Sequence, residues 1–242
     1  MTMLLEAKSL VMRFGGVVAI NDVNFSLEEG EIRCLIGPNG AGKSTFFKMV
    51  TGQLKPTAGE ILYRGKKVTG LRPFKIARLG VGIKTQVPKL FDGLTVYENI
   101  WLAARRKFLP VDQASAVQSV LEDVGLLDRS QAIVGELAHG LRQWVEIGTV
   151  LAGNPDLVLL DEPAAGMSDE EVDRTVAIIH RINRQRTVVV VEHDMRFIRK
   201  VAKKVTVFHQ GKVFLEGGVD EVLSDRGVQD IYLGRSGGRG DA

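Results

Sequence analysis

The stretch Gly37-Pro38-Asn39-Gly40-Ala41-Gly42-Lys43-Ser44-Thr45 limits what this chain can fold into more than any other. It fits the phosphate-binding pattern G-x-x-x-x-G-K-[ST], which has meaning only between a strand and a helix. Both flanks comply. Residues 32–36 (Ile-Arg-Cys-Leu-Ile) form a short, mostly apolar run that predicts a buried strand. Residues 43–51 carry Phe46, Phe47, Met49 and Val50 and stop at Gly52, which predicts a helix. A strand, glycine loop and helix in that order aim backbone N–H groups and a helix N-terminus at one anionic site. Glycine lets the backbone approach phosphates with no Cβ in the way. Lys43 would then reach the β- and γ-phosphates, and the Ser44 hydroxyl would ligate Mg²⁺. A glycine-rich turn alone is only a turn. With Lys-Ser attached and both flanks present, it reads as a nucleotide site.

The rest of the chain narrows the class. With 242 residues, 45% of them hydrophobic and 25% charged, it can bury a core as one large domain or one domain with an insertion. The apolar runs at 157–160 and 188–191 are far shorter than the ~20 residues that cross a bilayer. No basic-then-apolar leader opens the chain, so a cytoplasmic location is expected. A net charge of +3, without an aromatic-and-basic stripe, argues against nucleic acid. Cys34 reads as a small buried hydrophobe. His139, His180, His193 and His209 are too far apart for a local zinc motif.

Along the chain, residues 3–30 predict two antiparallel strands turning at Phe14-Gly15-Gly16. A short strand at 60–63, a polar tip at 64–67, a short helix within 71–80 and a strand at 81–85 follow. From 86 to 154 the texture becomes helical. Periodic stretches at 95–108, broken at Pro110, then 112–123 and 141–152, leave no evident strand. An α/β pattern resumes with a buried strand at 157–160. A helix capped by Ser168 and Glu171 follows, then a strand at 187–191 and a hairpin across Gln210-Gly211. The glycine- and arginine-rich tail from Gly234 is expected to be disordered.

Three further clusters carry chemistry. Asp161 and Glu162 end the strand at 157–160. Asp161 suits Mg²⁺ and Glu162 suits general-base activation of water, although acids at a strand end also serve simply to cap the next helix. Glu192-His193-Asp194 is a second polar strand end, where His193 would donate to a γ-phosphate oxygen or be structural. Ala138-His139-Gly140 opens the helix holding Arg142, Gln143 and Trp144. It is a second anion site or an ordinary helix start.

Taken in order, these motifs resemble the nucleotide-binding subunits of ATP-binding cassette (ABC) transporters, over nearly the whole chain. Residues 12–16 (Met-Arg-Phe-Gly-Gly), 143–148 and 162–167 are most similar to importers of branched-chain amino acids and of urea or short amides, and so is the ending Asp230-Ile231-Tyr232-Leu233-Gly234. The resemblance implies an α/β fold: a RecA-like P-loop core with an antiparallel β-subdomain (1–85 and 154–233) and an all-helical insertion (86–153). It implies that Phe14 stacks on adenine and that Gln86 touches Mg²⁺. Residues 87–92 would receive the coupling helix of a membrane subunit, Ala138-His139-Gly140 would be the signature turn and His193 the switch histidine. ATP, Mg²⁺, a second ATPase subunit, membrane permease subunits and, indirectly, a solute-binding protein are the implied partners, at the cytoplasmic face of the membrane. Two signature positions depart from the family, with Ala138 in place of Ser and Leu141 in place of Gln, and Ser168 stands where many cassettes have Asp. The rival readings are an exporter's ATPase, a soluble cassette ATPase, and a GTPase or small-molecule kinase. The last lacks an Asn-Lys-x-Asp motif here.

Overall fold

A computed structural model describes residues 2–85 and 89–233. Gln86, Val87, Pro88 and the tail from Gly234 therefore lie outside the described residues, and with them the expectations placed there. In chain order the elements are β1 (Met3–Phe14), β2 (Val17–Glu28), β3 (Ile32–Ile36), α1 (Lys43–Val50), β4 (Ala58–Tyr63), β5 (Lys66–Lys67), α2 (Pro73–Arg78) and β6 (Val81–Lys84). Then come α3 (Val96–Ala104), α4 (Pro110–Val124), α5 (His139–Leu151), β7 (Leu157–Asp161), α6 (Asp169–Asn183) and β8 (Thr187–Val191). The chain closes with α7 (Met195–Val201), β9 (Lys204–His209), β10 (Lys212–Gly218), α8 (Val219–Ser224) and α9 (Arg226–Leu233). It divides into two compact units, Met1–Pro73 with Val191–Ala242, and Phe74–Val190.

In the first unit β1 and β2 form the expected hairpin, with Phe14 opposite Val17. The antiparallel sheet runs β2-β1-β4-β5. β3 is buried at every residue, as its apolar run predicts, and it lies parallel to β9 with Cys34 opposite Val205. One residue of β3 breaks the apolar rule. Arg33 is fully buried, ion-paired to Glu31 and to Glu216 at 2.6 Å, and its guanidinium donates to Thr206 Oγ1 at 2.8 Å. Two carboxylates and a hydroxyl offset the desolvation that would otherwise exclude a charge there. Gln210 and Gly211 take φ of 48° and 75°, the left-handed pair that a tight β9–β10 hairpin needs.

In the second unit β7 and β8 are buried throughout, and β6 pairs parallel to β7 with Ile83 opposite Leu159. Between β6 and β7 the described residues hold α3, α4 and α5, with a lone antiparallel bridge joining Thr95 and Ile133. The helix at 112–123 extends to Pro110–Val124. Pro110 starts it rather than breaking the one before, because a proline at the first helical position forfeits only an N–H that has no partner anyway. α5 likewise begins two residues before the expected Leu141, so His139 and Gly140 are its first turn. α6 starts as its capping box predicts, Ser168 Oγ accepting from the Glu171 N–H.

Candidate functional site

The glycine loop is held from behind. Gly211 donates to the Ala41 carbonyl at 3.0 Å, and Asn21 donates to the Gly211 carbonyl at 2.8 Å, so the β9–β10 turn and β2 fix the loop together. Close approach explains two of the glycines. A Cβ on Gly37 would lie 2.1 Å from the Phe208 carbonyl oxygen, and one on Gly42 would lie 2.7 Å from Ile20 Cδ1, both at φ above 100°. The Lys43 ammonium folds over the loop and donates to the carbonyls of Gly37 (2.6 Å) and Pro38 (3.0 Å). Ser44 and Thr45 follow in the first turn of α1, which carries no acid. The end of the loop is therefore an array of N–H donors with a lysine, leading into a helix whose first turn carries no acid, an environment that suits a phosphate.

Phe14 stands at the tip of the β1–β2 hairpin with 46% of its surface exposed, and Val17 beside it is 66% exposed. Two residues beyond Val17 in β2, the Ala19 carbonyl borders Gly42, which puts this uncovered aromatic near the glycine loop. His193 belongs to the same unit. The Glu192 N–H before it donates to Leu35 O, so His193 comes beside the end of β3. Its own side chain is 64% exposed, 3.8 Å from the buried Glu192 carboxylate. Asp194 is not part of that cluster's chemistry: its Oδ1 accepts from Arg196 and Phe197 and caps α7. Sequence reasoning missed Tyr232 of α9. Burial pushes its phenol up to about 12, with the Gly37 backbone opposing the shift, and its hydroxyl is buried without a hydrogen-bond partner among the described residues. The only signal was its place in the residue 230–234 ending.

Asp161, Glu162 and the Ala138-His139-Gly140 turn belong to the second unit. Asp161 ends β7, and its carbonyl accepts from the buried Lys84 ammonium at 3.5 Å. Glu162 takes φ +48°, a left-handed conformation that a non-glycine residue holds at a cost and that recurs at functional positions. The turn at 138–140 is joined to the loop that follows Glu162. His139 Nε2 lies 3.0 Å from the Ala165 carbonyl and 3.3 Å from the Gln143 side-chain nitrogen. Behind Gly140 stands Glu171, whose Oε1 would be 2.2 Å from any Cβ added there. Its carboxyl is held below the usual range by the Ser168 N–H and hydroxyl, with His139 adding to the effect. Two partners from α5 hold the segment after Gln86: Glu146 Oε1 accepts from the Lys89 N–H at 3.0 Å, and Arg142 pairs with Asp92 at 2.7 Å. Phe91, between them, is 60% exposed.

For a divalent metal, the described residues hold no cluster of three or more His, Cys, Asp or Glu. The donors expected from sequence, the Ser44 hydroxyl and Asp161 carboxylate, are hard oxygens. They suit Mg²⁺, which keeps waters and phosphate oxygens as its other ligands.

Residues 20–165 match the ABC transporter family. The chain is 35% identical to the high-affinity branched-chain amino acid transport ATP-binding protein BraF of Pseudomonas aeruginosa, covering 96% of this chain and 98% of that one. It is equally 35% identical to LivG of Escherichia coli K12, of the same description, with the same coverage. The lipopolysaccharide export system ATP-binding protein LptB of Haemophilus influenzae is 32% identical over 96% of this chain and 97% of its own. Among solved structures, an ATP-binding cassette of an ABC transporter superposes with a TM-score of 0.88 at 27% identity, over 96% of this chain and 99% of that one. Its ADP conformation gives 0.87 over 97% and 100%. Fold, loop and relatives converge: the chain belongs to the ABC transporter family, as an ATP-binding and ATP-hydrolysing subunit.

Proposed function

We propose that this chain powers the uptake of branched-chain amino acids. The observation that carries the solute class is the full-length match, in both directions, to ATP-binding proteins of branched-chain amino acid transport. No described helix is long and apolar enough to cross a membrane, so the solute path belongs to separate permease subunits, with this chain docked on their cytoplasmic face. Of the two solute classes expected from sequence, the names of these relatives carry branched-chain amino acids and not urea or short amides.

The proposed roles follow from the chemistry of each residue. Phe14 stacks on adenine through its exposed face. The N–H groups of residues 37–45 and the Lys43 ammonium bind the phosphates. Ser44, Asp161 and Gln86 hold Mg²⁺, which neutralises charge on the β- and γ-phosphate oxygens when bound. Glu162 orients the attacking water and takes its proton, and His193 donates to the γ-phosphate. Ala138, His139 and Gly140 offer the first N–H groups of α5 to the nucleotide of a second ATPase subunit, a copy or a paralogue, in a head-to-tail dimer. Phe91 is the apolar contact for the permease. By this reading residues 86–153 are the subdomain that responds to it, and the core comprises 1–85 and 154–233.

Reconstitution of the chain with its cognate permease and solute-binding protein in proteoliposomes tests the proposal. Leucine, isoleucine and valine should enter with ATP consumption, and urea and acetamide should not. Uptake of urea alone would overturn the solute class. Export is the second reading, favoured by the likeness to LptB. ATP-driven solute movement in the opposite direction in the same vesicles would establish it.

A further inference from the structure

A cleft of about 460 Å³ runs along one face of α4, wholly within the second unit. Asp112, Ser115, Ala116, Ser119, Val120 and Asp123 face it, recurring at the three- and four-residue spacing of a single helix face. None of the residues assigned above to the nucleotide or the permease lines it. At the Asp123 end the opposite wall is Arg186, next to Asn154, with Leu151 nearby.

Arg186 is the unusual group. Its side chain is only 12% exposed, yet its contacts are loose. Nη1 is 3.9 Å from Asp123 Oδ2, Nη2 donates to Asn154 Oδ1 at 3.5 Å, and Nε is buried with no hydrogen-bond partner. A guanidinium fills its donors best with a pair of anionic oxygens side by side, at distances well below these. The two Nη groups, held this loosely, keep donor capacity that a bound carboxylate would fill. The Asp123 carboxylate, 27% exposed, offers a cation site directly beside this anion site. Phe108, Val120 and Leu151 are the large apolar residues of the lining, and Phe108 is the least buried of them. The net charge of the lining excludes a polyphosphate, since Asp112 and Asp123 outnumber the single Arg186.

We propose that this cleft binds a small aliphatic α-amino acid. Its carboxylate would bridge the two Nη groups of Arg186, its ammonium would meet Asp123, and its side chain would lie toward Phe108 and Val120. The site is separate from the nucleotide machinery, so the two readings stand or fall independently.

The test is calorimetric titration of the full nucleotide-free chain with L-leucine, beside 4-methylpentanoate, which lacks the ammonium, 3-methylbutylamine, which lacks the carboxylate, and inorganic phosphate. Leucine should bind with a Kd of about 1 mM, as suits a small ligand in an open cleft. Each single-charge analogue should bind at least about tenfold more weakly. Arg186→Gln should weaken leucine binding by about tenfold or more, and Ser119→Trp, at an exposed helix position, should block it by filling the cleft. Both variants should keep wild-type ATP binding. If Arg186→Gln fails to fold, Ser119→Trp decides. Absence of leucine binding up to about 20 mM would overturn the proposal. So would equal binding of an analogue or of phosphate, or unchanged affinity in Ser119→Trp.

Discussion

Glu162 is the one acid of the site in a strained backbone conformation, at φ +48° immediately after the buried Asp161. A left-handed turn there costs about 1–2 kcal/mol for a residue with a Cβ. It falls where the chain leaves β7, which ends at Asp161. Glu162→Gln keeps that geometry and removes only the base. ATP binding, read by nucleotide titration, should be unchanged, and phosphate release should fall by about 10²-fold or more. Turnover at the wild-type rate would remove Glu162 from the base role. Cys34 makes a separate residue-scale prediction. Burial in β3 pushes its thiol up strongly, and the neighbouring Glu192 charge adds to the shift, so the thiolate is suppressed. The native protein should not react with a thiol reagent at neutral pH, and it should react fully once unfolded. Fast labelling of the folded chain would contradict this placement of the thiol in the core.

Elements buried on both faces were legible in the sequence because they have a simple signature: β7 and β8 are short apolar runs bounded by polar residues, and each lies within a residue of its expected place. The α6 capping box is local chemistry and was equally readable. α7, α8 and α9 were not, because short helices carry too few turns for periodicity to show and depend on tertiary support. Asp194, read only as part of a polar strand end, is the cap that starts α7. Contacts between distant elements had no sequence signal at all. The join of α5 to the loop after Glu162 is one: Trp144 Nε1 donates to Thr175 Oγ1 at 2.9 Å, and Thr175 Oγ1 lies 3.2 Å from Met167 Sδ. Trp144 and Thr175 are both buried, and Arg174 lies 4.3 Å over the indole ring. Thr175→Val keeps the shape and leaves the indole N–H without an acceptor. It should lower unfolding free energy by about 1–3 kcal/mol in urea titration. No loss would mean that the indole N–H finds another partner and that this join is not structural.

At the scale of the whole molecule, the sequence motifs fall in two compact units, the glycine loop and His193 in one and the strand-end acids and the turn at 138–140 in the other. The central claim of the proposed mechanism is that the turn at 138–140 acts on a second subunit's nucleotide. Gly140 is a poor place to test it, because Glu171 stands behind it and a side chain there would dislodge the α6 cap. Ala138 is better. It is exposed, it is the N-cap of α5, and its side chain makes no capping hydrogen bond. Aspartate at an N-cap stabilises a helix by about 0.5–2 kcal/mol relative to alanine. The same carboxylate would repel a phosphate presented to the turn. Ala138→Asp should therefore raise the melting temperature of the isolated subunit and leave its ATP affinity unchanged. In the same variant, ATP-dependent dimerisation, read by light scattering, and hydrolysis should both be lost, whereas Ala138→Ser should retain both. An Ala138→Asp protein that still dimerises with ATP and hydrolyses it at the wild-type rate would contradict the account.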